Sequence, residues 1–223
     1  MPKAKKKSKE DLIELYMEYV SVHGLDISIT ELCEAKKIKE EEFILHLDSI
    51  AEAEMTVWEE LMQAAINTVN ADPQYVSFSK RDRLLSLYYT FFENCNLNQP
   101  FLHVSLEHHG KLNMLRVLKK LKLRFSAYIK TMHEQPIVPI GRADNRLNQI
   151  TNTAVAEAYY TQLLFLLDFW KNDVSVNHEK TDIAIEKTIK ASMDLIDFTP
   201  IKSVVDFGKF MWKERLSNVQ FKK

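Results

Sequence analysis

Lys36-Lys37-Ile38-Lys39-Glu40-Glu41-Glu42-Phe43-Ile44-Leu45-His46-Leu47 is the stretch that decides how this chain is read. A charged turn leads into a short segment in which Phe43, Ile44 and Leu47 fall on one helical face. Just upstream, Ser28 followed by Glu31 signals a helix start, with Ile29, Leu32 and Cys33 facing inward. Before that, Ser8 and Asp11 form a short capping box. Leu12, Leu15, Tyr16, Tyr19 and Val20 then recur at helical spacing, and Gly24 ends the helix where a left-handed residue is cheap. Downstream, a fourth helix is expected from about Ser49, with Met55, Trp58, Leu61, Met62 and Ile66 as its apolar stripe. Three short helices followed by a longer one have the spacing of a helix-turn-helix module. The second helix of that pair enters the major groove, and here it is expected over Lys39 to Leu47.

The same residues carry a resemblance. Residues 36–47 resemble the signature of the TetR family of one-component repressors: alanine-glycine-valine-serine, a variable triplet, then phenylalanine-tyrosine-x-histidine-phenylalanine. Ile38, Phe43, His46 and Leu47 fall on the family's valine, phenylalanine, histidine and final aromatic. Leu12 to Gly24 is similar to the family's first helix, and Ile29-Thr30-Glu31-Leu32-Cys33 to its second. The resemblance covers about the first 66 residues. It implies an all-α fold, with a helix-turn-helix module over residues 1–70 and a larger ligand-binding and dimerisation domain over 71–223. It also implies a homodimeric, ligand-responsive transcription regulator.

The departures lie where DNA would be touched. Ile44 replaces the family's phosphate-contacting tyrosine, and Ile50 replaces the lysine that usually opens the fourth helix. Between Gly24 and Glu60, eleven carboxylates face three lysines, a net of −8. Non-specific DNA affinity comes mainly from lysine and arginine releasing counterions from phosphates, so this surface opposes the resemblance. A charge pair at about 4 Å is worth on the order of 1 kcal/mol even in water, and a good bidentate base contact gains only about 1–3 kcal/mol. The counterweight is a basic N-terminal arm of Lys3, Lys5, Lys6, Lys7 and Lys9. A lysine-rich terminus is commonly a solvated tail; beside a helix-turn-helix it can also track phosphates. The candidate DNA contacts are Lys5, Lys6, Lys7, Lys36, Lys37, Lys39 and His46.

The rest of the chain also reads as helical. Four glycines and six prolines in 223 residues leave little material for hairpins, and no two-residue alternation is sustained. A linker is expected at Asn70-Ala71-Asp72-Pro73-Gln74. Helices follow from the Ser79/Asp82 cap, over Pro100 to His109, Lys111 to Met132, Asp144 to Lys171, Glu179 to Asp197 and Pro200 to Leu216. The segment from Tyr159 to Trp170 is apolar nearly all round, so it needs cover on several sides, which points to a dimer interface. Tyr88, Phe92, Phe101, Phe125, Tyr128, Tyr159 and Leu163 are candidate walls of an apolar ligand pocket, although aromatics at helical spacing ordinarily fill a core. Phe169-Trp170-Lys171-Asn172-Asp173 and the segment from Thr181 to Met193 are similar to the C-terminal region of a ubiquinone-biosynthesis lipid-binding protein of TetR-like fold. That similarity gives the alternative reading: a protein that has lost DNA binding and carries a lipid or another apolar small molecule.

Lys111 to Lys130 holds seven basic residues and no acidic one, interleaved with leucines. Such a helix can lie on an anionic membrane surface; more commonly its apolar face is core and its lysines are solvated. His103, His108 and His109 do not share a metal-binding face. No phosphate-cradling glycine loop, nucleophile elbow or histidine-glutamate zinc motif is present, so no catalytic residue, metal or cofactor is expected. Cys33 and Cys95 are too few for a disulfide framework. With no signal-peptide pattern and no run of about 18 apolar residues, the expected location is the cytoplasm, without stable membrane insertion.

Overall fold

A computed structural model describes residues 6–133 and 141–197. Among these the chain is all-α, with ten α-helices and two short 3-10 turns and no strand. The chain forms two compact units. Among the described residues, the first contains 6–77 and 86–125, and the second 78–85, 126–133 and 141–197. Two of the three boundaries, at 85–86 and 125–126, fall inside helices, a grouping by compactness distinct from the functional division expected at residue 70.

In the first unit, α1 (Lys9–His23), α2 (Ile29–Lys36) and α3 (Glu40–Ile44) precede the longer α4 (Ile50–Ala71). The capping boxes read from the sequence are formed. Ser8 and Asp11 exchange backbone and side-chain hydrogen bonds at the start of α1, and Ser28 and Glu31 do the same for α2. Ser49 Oγ accepts from the Glu52 N–H at the start of α4. Each bond satisfies a backbone donor that the helix itself cannot. Gly24 donates its N–H to the Val20 carbonyl, with φ 80° but ψ −174°. The positive φ was expected; the extended ψ takes it out of the left-handed helical well into a region that glycine alone enters freely.

The turn between α2 and α3 is held by backbone geometry. Lys37 sits in the left-handed helical conformation, φ 52° and ψ 46°. Its N–H donates to the Glu34 carbonyl at 3.3 Å, and the Ile38 N–H donates to the Cys33 carbonyl at 2.9 Å. That pair of bonds is a Schellman motif, and Ile38 and Cys33, the two residues its longer bond joins, are both buried. A lysine pays for the left-handed conformation with a steric clash that glycine avoids, about 1–2 kcal/mol. Part of that gain is offset by glycine's freer unfolded chain. Lys37→Gly is therefore expected to stabilise the protein by about 0.5–1 kcal/mol, seen as a higher urea midpoint at unchanged slope; a lower midpoint would show that the turn does not strain lysine.

The helix expected over Lys39 to Leu47 is shorter. α3 ends at Ile44, Lys39 gives it no side-chain cap, and the Leu47 N–H returns to the Phe43 carbonyl at 2.9 Å. A five-residue helix cannot sustain itself in water, so its position depends on Phe43 and Leu47, both fully buried. α1 packs on α2, α4 and α6 (Gln99–His108), and α4 also contacts α7 (Lys111–Val117). α5 (Lys80–Leu97) opens with Asp82 donating its N–H to Ser79 Oγ at 3.2 Å, as its sequence implied. The single helix expected from Lys111 to Met132 is divided at Leu118, where ψ is 5°, into α7 and α8 (Lys119–His133).

The second unit is built around α9 (Gly141–Lys171) and α10 (Glu179–Asp197), which pack on each other. Asp173 organises their connection. Its carboxylate accepts from the Ser175 N–H at 2.9 Å, Ser175 Oγ at 2.6 Å, the Thr181 N–H at 2.8 Å and Thr181 Oγ1 at 2.7 Å. Burial alone would raise this acid's pKa, but the hydrogen bonds from Ser175 and Thr181 together outweigh it and hold the carboxyl well below its ordinary range. Met193 Sδ accepts from the Tyr159 hydroxyl at 3.6 Å, so the methionine noted in the sequence does meet α9. α9 is less uniformly covered than its composition suggests: Leu163, Leu166, Leu167 and Trp170 are buried, whereas Phe165 is 53% exposed. The helix expected over Pro200 to Leu216 lies outside the described residues.

Candidate functional site

The α2–turn–α3 surface carries most of the candidate DNA contacts. Lys37, Lys39, His46, Glu40 and Glu41 are exposed around it. Two of the expected groups are already engaged elsewhere. Lys36 Nζ is 2.6 Å from Glu18 Oε2 on α1. Glu42 Oε1 accepts the backbone N–H of Lys7 at 2.5 Å, which ties the base of the basic arm to α3. One of the three glutamates is thus turned towards the protein's own backbone. Lys6 is exposed and Lys7 half-buried; Lys5 lies outside the described residues.

α4 holds a buried polar network that the sequence reading did not identify. Glu54 is only 3% exposed. Ser105 Oγ donates to Glu54 Oε1 at 2.6 Å, and His109 Nε2 lies 2.9 Å from Glu54 Oε2. The indole N–H of Trp58 donates to Ser105 Oγ at 3.0 Å. Tyr16 packs edge-on to Phe101 with ring centroids 5.6 Å apart. Its buried hydroxyl has no hydrogen-bond partner. Burial, and then the charge of Glu54, push the Tyr16 phenol well above its ordinary range. The clue was available: Glu54 stands four residues before Trp58 and seven before Leu61, on the stripe that is buried. Met55, which was assigned to that stripe, is only half-buried.

A second set of contacts ties the outer side of α4 to α8. Lys120 pairs with Glu52, donates to Thr56 Oγ1 at 3.2 Å and lies 3.8 Å from Glu59. Arg124 Nε donates to Glu59 Oε1 at 2.7 Å. Of the three histidines weighed above, His109 belongs to the Glu54 network, His108 is 3.7 Å from Asp26, and His103 Nε2 is 3.3 Å from Gln99.

The seven aromatic and aliphatic candidates for the ligand pocket are all buried. Tyr88, Phe92, Phe101 and Phe125 belong to the first unit, and Tyr128, Tyr159 and Leu163 to the second. In the first unit, Tyr88 and Phe125 have ring centroids 6.0 Å apart. Phe101 also lines an open groove of about 520 Å³, together with Ile13, Met17, Leu97 and Pro100 and the carboxylates of Glu10, Glu14, Glu18 and Glu60. Both cysteines are free and buried, and burial drives the Cys95 thiol well above its ordinary range.

Short capped helices leading into a long α4 and a second unit of long paired helices define the class: an all-α protein of the tetracycline-repressor type. Residues 83–211, more than half of the chain, match the family described as Tetracyclin repressor-like, C-terminal domain. The chain belongs to the TetR family. A comparison with curated proteins finds no match. The matched region lies wholly beyond the first 66 residues, where the N-terminal resemblance was read.

Proposed function

We propose that this chain is a ligand-responsive transcription regulator that binds DNA as a homodimer. The observation that carries the reading is the exposed α2–turn–α3 surface in a chain of this family, its turn closed by the Schellman bonds at Lys37 and Ile38. Lys37, Lys39 and His46 are the proposed contacts at the groove, with Lys36 contributing if it leaves Glu18. Lys5, Lys6 and Lys7 supply a sequence-independent, salt-sensitive attraction. The bond from the Lys7 backbone to Glu42 supports this reading, because it holds Lys7 beside α3 and turns one negative charge inward.

The test is DNA binding by the full chain as a function of salt. Removing Glu40 and Glu41 as charges (E40Q/E41Q) is expected to strengthen non-specific binding about thirtyfold, since each of the two repulsions is worth on the order of 1 kcal/mol. Lys37→Ala/Lys39→Ala should weaken binding and flatten its salt slope by about one unit per lost phosphate contact. Absence of binding to random-sequence or genomic DNA at low salt would overturn the DNA assignment. Weaker binding to a selected site after the glutamine changes would make the glutamates base readers.

The homodimer is assigned to α9 and α10, where the half-exposed Phe165 supplies apolar surface; a strictly monomeric mass by light scattering would remove it. The effector is proposed to be an apolar molecule, contacted by some of Tyr88, Phe92, Phe101, Phe125, Tyr128, Tyr159 and Leu163. Its coupling to DNA affinity would be of the usual size, about 1–3 kcal/mol.

A further inference from the structure

The helical stretch formed by α7 and the first turns of α8 has two faces of unexpected character. Met114, Val117, Leu118, Leu121 and Phe125 are buried, which accounts for the apolar residues needed as core. On the opposite face, Leu112, Leu115, Arg116, Lys119 and Leu123 stand at i, i+3, i+4, i+7 and i+11, a single stripe. The two helices meet at Leu118, whose N–H donates to the Met114 carbonyl at 2.9 Å and whose carbonyl accepts from the Lys122 N–H at 2.8 Å. The leucines of this outer stripe are open to solvent: Leu112 is 81% exposed, Leu115 47% and Leu123 63%. A solvated helix face is ordinarily polar, so three exposed leucines between cations call for a partner.

We propose that this outer stripe docks reversibly on an anionic lipid bilayer, with the three leucines at the headgroup boundary and Arg116 and Lys119 on lipid phosphates. The charge pattern selects the lipid. Residues 111–130 carry seven basic side chains and no acidic one, and the neighbouring Glu52 and Glu59 are paired with Lys120 and Arg124. A nucleic acid would satisfy the cations and leave the leucines in water. A stable protein partner needs roughly 800 Å² on each side, and a one-helix ridge of three leucines offers a few hundred. Weak partition of an amphipathic face into an anionic interface requires only such a ridge with flanking charge. The contact is superficial: among the described residues no helix is long and apolar enough to cross a membrane.

The experiment is sedimentation of the full chain with phosphatidylcholine vesicles, with and without phosphatidylglycerol. Binding is expected only with the anionic lipid and should fade as salt rises. R116E/K119E should weaken it about tenfold or more, and L112S/L115S/L123S should abolish it while circular dichroism stays unchanged. Substituting Lys5, Lys6 and Lys7 by alanine should leave the leucine-dependent binding in place. Three results would overturn the proposal: no anionic-vesicle binding at low salt, binding indifferent to the leucine triple, or a leucine triple that lowers the mass of the protein in solution, which would assign the face to a second copy.

Discussion

His109→Ala is expected to lower the unfolding free energy by about 3 kcal/mol, the scale for breaking a buried polar pair from one side. The cost arises on the partner that remains. Glu54 is almost fully enclosed, and without the imidazole one carboxylate oxygen loses its nearest polar neighbour while Ser105 still occupies the other. The variant E54Q/H109A should recover part of the loss, because a neutral amide is cheaper to bury than an uncompensated carboxylate. Urea unfolding of the wild type, the two single variants and the double variant closes a double-mutant cycle. A loss below about 1 kcal/mol for H109A would mean that water replaces the histidine at no cost, and the network would not be a fixed element of α4.

Phe43→Ala should be costlier still, about 3–5 kcal/mol, and its effect should be local as well as global. Phe43 is wholly enclosed, and it is the only buried residue of a five-residue helix. Its backbone also receives the Leu47 N–H. Removing the ring leaves both a cavity and a helix too short to persist alone. Hydrogen exchange should show α3 and the following turn losing protection before α4 does. Uniform loss across α1 to α4 would instead place α3 inside one cooperative block.

The elements of the first unit were readable because their signals are local. Ser8/Asp11 and Ser28/Glu31 announce two helix starts by chemistry contained within four residues, and both boxes form as read. The bounds of α10 were legible too, from Glu179 to Asp197. Where the reading fell short, the deciding contact is distant in sequence. The end of α3 depends on where Phe43 and Leu47 are anchored, not on the propensity of Leu45 and His46. Glu54 looked like one more surface acid because its partners Ser105 and His109 lie more than fifty residues away. Glu42 counted as a groove-facing charge until the Lys7 backbone took it. Carboxylates that look alike in sequence are thus sorted into buried acceptor, arm tether and exposed charge by contacts that no local pattern records.

The anchoring of α4 also bears on how such proteins can be recombined. Cutting the chain near residue 70 and grafting the leading helices onto another body is the obvious way to exchange them. Here such a graft would strip α4 of Ser105, His109, Lys120 and Arg124, exposing Trp58 and stranding Glu54 without either neighbour. An exchangeable cassette must therefore carry α6, α7 and the start of α8 with it. A lineage that shuffles its leading helices would inherit the whole block, and point substitution on the exposed side of α3 disturbs fewer of these contacts.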